Sequence, residues 1–138
     1  MDNKDFRILI VEDEEDLRDV LFQLCRLNGY EADCARTGSD ALILMAASRR
    51  YGLALVDYTM PDMHGVDFTL RAKRLWPHLT VIAMSAFKDV EESFIEAGAK
   101  LFLKKPFDMA VLEKAIADSN DTASRDIPGY GHPSEWAG

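Results

Sequence analysis

Leu53-Ala54-Leu55-Val56-Asp57 is the stretch that decides the fold. Four aliphatic residues run without a polar break into a carboxylate. An apolar run this short, with a Pro- and Gly-bearing loop after it, reads as a strand buried on both faces, the kind found in parallel sheets. Ile8-Leu9-Ile10-Val11 repeats the pattern and runs into Glu12-Asp13. If the two strands are parallel neighbours, their carboxyl ends meet on one edge. Three carboxylates then converge where open α/β sheets bind their ligands. Crowded carboxylates raise each other's pKa. A divalent cation relieves that repulsion, and an all-oxygen set suits a hard ion such as Mg²⁺.

Working outward, strands and helices alternate. Glu14 to Leu27 carries Leu17, Val20, Leu21, Leu24 and Cys25 at helical spacing, and Asn28-Gly29 ends it as a cap. Tyr30 to Ala35 is a weaker, half-polar strand, which predicts an edge position. Thr37-Gly38-Ser39 opens a second helix with Ala41, Leu42, Met45 and Ala46 inward. After Asp57 comes the loop Tyr58-Thr59-Met60-Pro61-Asp62-Met63-His64-Gly65, then a helix over Val66 to Leu75 stopped by Trp76-Pro77. Thr80 to Met84 is a fourth strand ending at Ser85-Ala86, and Val90 to Ala97 a short polar helix closed by Gly98. Lys100 to Lys104 is a fifth strand. Lys105-Pro106-Phe107 turns the chain. Asp108 caps a fifth helix with Val111, Leu112, Ala115 and Ile116 inward. Serial βα units imply a doubly wound parallel sheet with helices on both faces. The expected domain spans residues 6–119, with 120–138 a flexible tail or truncated linker.

The composition bounds the function. The chain has 138 residues, 48% of them hydrophobic, so it supports a folded core. Twenty-four acidic against 16 basic residues give a net charge of −8, which disfavours direct nucleic-acid binding. Cys25 and Cys34 lack metal-ligand or redox-motif spacing and read as free thiols. No run approaches the ~20 apolar residues of a membrane span, and no leader layout precedes the first strand, so a cytoplasmic location is expected.

Strand ends supply Glu12, Asp13, Asp57, Ser85 and Lys105. Asp57 could act as a nucleophile toward a phosphoryl group. Glu12 and Asp13 could hold Mg²⁺, Ser85 offers a hydroxyl, and Lys105 a point charge. Phosphoryl transfer needs mainly positioning and charge neutralisation, which these groups supply. Singly, each has a plainer reading as a cap, turn or surface residue. Glu12 to Asp16 would also suit the positive end of the first helix. The joint arrangement on one rim favours chemistry. His64 reads as a loop histidine, Met60, Met63 and Met84 as loop and core packing, and Trp76 as a helix-end anchor. Trp136 falls in the tail.

Four motifs together resemble the receiver domain of two-component response regulators. They are Ile10-Val11-Glu12-Asp13-Glu14, Leu55 through Gly65, Met84-Ser85-Ala86, and Phe102-Leu103-Lys104-Lys105-Pro106-Phe107. The resemblance implies a flavodoxin-like α/β fold with five parallel strands in the order 2-1-3-4-5 and five helices. It implies that Asp57 is the phosphoacceptor, charged by a histidine kinase or phosphotransfer domain. Asp13 and Asp57 would ligate Mg²⁺ directly, Glu12 through water, and the Thr59 carbonyl would complete the protein ligands; Mn²⁺ could substitute. Lys105 would be the lysine of the site, with a cis bond to Pro106. Ser85 and Phe102 would be the switch pair, with Phe102 standing where many members carry Tyr. The surface of the fourth helix, fifth strand and fifth helix would change on phosphorylation and could form a homodimer. Phe87 and Thr59 occupy positions bearing on phosphoryl lifetime, and Phe87 is expected to hinder an attacking water.

Two rival readings stay open on sequence. One is a docking module regulated without phosphorylation, which the complete set of site residues argues against. The other is a haloacid-dehalogenase-like phosphatase, which wants Asp-x-Asp after its first strand, where this chain has Glu12-Asp13-Glu14-Glu15. A signalling domain that accepts a phosphoryl group, not a turnover enzyme, is the expectation.

Overall fold

In a computed structural model the chain is described over residues 6–47 and 50–125. The strands are β1 (Ile8–Val11), β2 (Ala32–Ala35), β3 (Leu53–Asp57), β4 (Thr80–Ser85) and β5 (Leu101–Lys104). The helices are α1 (Glu15–Leu27), α2 (Gly38–Ala46), α3 (Gly65–Leu75), α4 (Glu91–Ala97) and α5 (Met109–Arg125). All pairings are parallel and the order is β2-β1-β3-β4-β5, as the resemblance implied, with half-polar β2 at one edge.

Successive side chains of a strand point to opposite faces. Leu9, Val11, Ala54, Val56, Val81 and Ala83 therefore pack on α2, α3 and α4, through Ala41, Met45, Phe68, Ala72 and Phe94. Ile8, Ile10, Leu53, Leu55, Ile82 and Met84 pack on α1 and α5, through Leu21, Cys25, Leu112 and Ile116. The central strands are thus sealed on both sides, which is why they read as unbroken aliphatic runs.

Helix ends follow local chemistry. The Thr37 hydroxyl accepts from the Asp40 amide at 3.0 Å, and Asp108 Oδ1 accepts from the Ala110 amide at 2.9 Å. Gly29 and Gly98 close α1 and α4 at φ of 85° and 115°, where a side chain would be strained. The Lys105–Pro106 bond is cis.

Several expectations need correction. Val20 and Val111 are 49% and 50% exposed, and Ala46 is also exposed. Each sits at the margin of its helix's apolar stripe, beyond what the sheet covers. Tyr30 precedes β2 instead of lying within it, and a 3₁₀ turn at Lys88–Val90 leads into α4. The fifth helix does not stop near Asp118 but continues to Arg125. Ser119 and Asn120 are buried in it; the Ser119 hydroxyl donates to the Ala115 carbonyl at 2.9 Å, and Asn120 hydrogen-bonds Tyr30. Polar residues that find partners in this way do not end a helix. Of the expected 120–138 tail, residues 120–125 are helical, and 126–138, with Trp136, lie outside the described residues.

Cys25 and Cys34 are free. Burial pushes the Cys25 thiol up to about 12, so it stays protonated and packs as a small hydrophobe. Among the described residues, no helix is long and apolar enough to cross a membrane.

Candidate functional site

The register that seals the sheet also builds the site. Val11 stands opposite Val56, so Glu12 and Asp57 leave adjacent strands at the same level. Ser85 stands opposite Lys104, so Lys105 leaves β5 one residue above Ser85. The Lys105 Nζ donates to Glu12 Oε1 at 3.0 Å and lies 2.9 Å from Asp57 Oδ1. Both carboxylate side chains are nearly buried, at 2% and 8% exposure, while that of Lys105 is 23% exposed.

This ion triad has an excess of negative charge. Burial pushes the Glu12 carboxyl above its ordinary value, Asp57 adds to the rise, and Lys105 and the Glu14 amide oppose it. Burial works against the Lys105 ammonium, but its hydrogen bonds to Asp57 and Glu12 outweigh that and hold its pKa above the usual lysine value. The Glu14 amide donates to Glu12 Oε2 at 3.1 Å, so the carboxylate is fixed at both oxygens.

A cleft of 220 Å³ opens over these groups, lined by Glu12, Asp13, Glu14, Asp57, Thr59, Ala86, Phe87 and Lys105. Asp13 is exposed and reaches the cleft from the mouth. As the side chains stand, no three acidic, histidine or cysteine groups among the described residues converge closely enough to hold a metal. Lys105 takes the place between Glu12 and Asp57 that the sequence reading gave to a cation. The donor set still fits a hard cation: two buried carboxylates share one ammonium, a third carboxylate stands at the mouth, and all offer oxygen.

The model of the family described as "Response regulator receiver domain" matches residues 8–117. The chain belongs to that family. Regulatory protein AtoC of Escherichia coli K12 is 35% identical to it over 112 residues, covering 80% of this chain and 24% of that protein. A cyclic di-GMP phosphodiesterase of Thermotoga maritima is 33% identical over 111 residues, covering 79% of this chain and 29% of that protein. The chain therefore spans only 24% and 29% of the length of these two relatives. The crystal structure of a CheY-like response regulator receiver domain protein from Methanospirillum hungatei JF-1 superposes with a TM-score of 0.83 at 28% identity, covering 88% of this chain and 98% of that one. The protein is thus a receiver domain of the two-component response regulators, a signalling domain.

Within this receiver domain the expected site residues separate into three groups. Glu12, Asp57 and Lys105 meet directly, and Asp13 and Thr59 share their cleft. Ser85 does not face it: the side chain is buried and its hydroxyl accepts from the Phe87 amide at 2.9 Å. Phe102 is half-buried and packs on Phe94 of α4, ring centroids 6.1 Å apart. Phe94 in turn meets Tyr58 edge-on at 6.1 Å, and Tyr58 meets Phe87 edge-on at 6.3 Å and stacks on His64 at 4.8 Å. The residue after Asp57 is thereby joined through aromatic rings to α4 and β5.

Three positioning residues escaped the sequence reading. Arg18 donates to the Glu12 and Asp13 carbonyls at 3.1 and 3.0 Å, holding the turn after β1. The Asp62 carboxylate accepts from the Gly38 and Ser39 amides at 3.1 and 2.8 Å, tying the β3–α3 loop to the start of α2. A Cβ on Gly65 would collide with the Asp57 carbonyl oxygen. Only Gly65 carried a local signal, as a glycine at a loop-to-helix junction. The other two act across elements distant in sequence or depend on side-chain aim.

Proposed function

We propose that Asp57 accepts a phosphoryl group and that this receiver domain switches a signalling surface in response. The observation that carries the reading is the Lys105 ammonium held 2.9 Å from a nearly buried Asp57 carboxylate beneath an acid-lined cleft. Lys105 neutralises charge at the acceptor. An Asp57 oxygen attacks phosphorus of a phosphohistidine in line. The P–O bond forms as the P–N bond breaks, and the imidazole nitrogen leaves with the electron pair. The donor is a histidine kinase or phosphotransfer domain.

Glu12, Asp13, Asp57 and the Thr59 carbonyl are the groups that would hold Mg²⁺, which neutralises phosphoryl oxygens when bound. Ser85 would exchange its Phe87 amide for a phosphoryl oxygen. That would free the ring of Phe102 to move inward and alter the surface of α4, β5 and α5. Ile95, Leu101 and Val111 on that surface are 45%, 38% and 50% exposed, apolar area suited to a partner or a second copy. The reading places the domain in the cytoplasm, where such kinases present their phosphohistidine.

The test is acetyl phosphate with Mg²⁺, read by intact mass. The wild-type chain gains one phosphoryl mass and Asp57→Asn gains none. A wild-type chain that stays unmodified, or an Asp57→Asn chain labelled to the same extent, overturns the reading and favours docking without phosphorylation.

A further inference from the structure

A second cavity, of 580 Å³, opens at the sheet edge opposite Asp57. Tyr51, which lines it, precedes β3, whereas Asp57 ends β3, so the length of the strand separates the two sites. Its walls come from Met45 at the end of α2, Tyr51, and Leu75 and Trp76 at the end of α3. Besides Tyr51, its titratable lining groups are Arg50 and His78, and among the described residues no carboxylate lines it. Asp33, which accepts from the Tyr51 hydroxyl at 2.7 Å, is itself paired with Arg7.

The charge of this hollow runs against that of the molecule. The chain carries −8, the Asp57 cleft sets Glu12, Asp13, Glu14 and Asp57 against Lys105, and the hollow beside α4 sets Asp89, Glu91 and Glu92 against Lys88. Here an apolar floor is rimmed by the Arg50 guanidinium and the His78 imidazole. The apolar and basic character also continues outside the hollow. Leu75 is 63% exposed, and exposed Arg71 lies one helical turn before it on the same face of α3. That is more surface than a small anion covers, and it suits an extended occupant.

We propose that this hollow docks an acidic amphipathic segment of a partner protein. An aromatic or leucine side chain enters against Trp76 and Leu75, and flanking carboxylates meet Arg50, Arg71 and His78. The surface is remote from Asp57, so this partner and a phosphodonor can be held together, and the inference does not depend on Asp57 chemistry.

The probe is the peptide acetyl-EDLFEWLDE-amide, titrated into the ¹⁵N-labelled 138-residue chain. A control peptide carries Gln and Asn in place of every Glu and Asp. The expected result is a shift of the Trp76 indole and of the Tyr51 and His78 amides, with the neutral peptide at least tenfold weaker. Binding should weaken as salt rises. Arg50→Glu should lose at least tenfold in affinity with acetyl-phosphate labelling of Asp57 unchanged, and Arg50→Lys should keep most of it. Equal binding of both peptides, shifts confined to α4, β5 and α5, or no shift at millimolar peptide overturns the proposal. So does a Trp76 shift in peptide-free Trp136→Ala, which would assign the hollow to the chain's own Glu135-Trp136. A Trp76 shift that grows with protein concentration alone would assign it to a second copy.

Discussion

Replacing Lys105 by methionine keeps most of the aliphatic stem and removes the one cation shared by Glu12 and Asp57. Breaking a fully buried ion pair costs about 3–5 kcal/mol, because an uncompensated charge is left behind. Lys105 is 23% exposed and the cleft admits water, so the cost here is lower, about 2–3 kcal/mol at pH 7. For a domain of this size that is roughly 10 °C in Tm. The pH dependence gives the sharper test. Glu12 already has a raised carboxyl pKa, with burial the largest cause and Asp57 next. Its folded state holds the proton more readily than its unfolded state, so ionising it works against folding. Without Lys105 that tendency grows. The deficit of Lys105→Met should therefore be full near neutral pH and shrink as pH falls through the raised Glu12 value. In the wild type, the raised Lys105 pKa makes its contribution full below the ordinary lysine value and lost as pH rises through the folded value. Urea unfolding at several pH values measures both. Equal stability of variant and wild type at pH 7, or a deficit that does not shrink as pH falls into the carboxylate range, would refute the argument. Adding Glu12→Gln should recover part of the loss at pH 7.

Three further outcomes are expected. Gly65→Ala should destabilise by about 1–3 kcal/mol in thermal melts, although alanine is the better helix former, because its Cβ would meet the Asp57 carbonyl oxygen; it should also slow Asp57 labelling. Asp62→Ala removes the carboxylate that accepts from the Gly38 and Ser39 amides and should cost about 1 kcal/mol. The Ser39 hydroxyl and these amides hold the Asp62 carboxyl below its usual value, so the contribution is present above the unfolded carboxylate pKa and lost as pH falls through the lowered one, which an acid titration of the variant against wild type would follow. Phe87 lines the cleft and is 54% exposed; Phe87→Glu should shorten the phosphoryl lifetime several-fold in a decay assay, and an unchanged lifetime would leave Phe87 a contact residue only.

The unbroken runs Ile8–Val11 and Leu53–Val56 could be read because strands sealed on both faces have no polar side to show. The half-polar edge strand was legible for the converse reason. Thr37, Asn28-Gly29 and Asp108 announced helix ends, since capping uses a residue's own short side chain or backbone. The end of α5 was misread because Ser119 and Asn120 look like tail residues until Tyr30 and the Ala115 carbonyl are placed beside them.

The sequence by itself determined which acidic, hydroxyl and lysine side chains this protein carries at its strand ends. Chain order and the period of two put Glu12, Asp57 and Lys105 on one rim wherever parallel strands pair in register. Only the tertiary structure decided how those groups are used at rest. Lys105 bridges the two carboxylates, Asp13 waits at the mouth, and Ser85 turns to its own loop. The same holds for the basic-rimmed hollow at the far edge, whose residues come from three separate segments. Strand periodicity is a local property that neighbouring residues encode. The aim of a side chain, and the charge of a surface assembled from distant segments, depend on distances that only the folded chain sets.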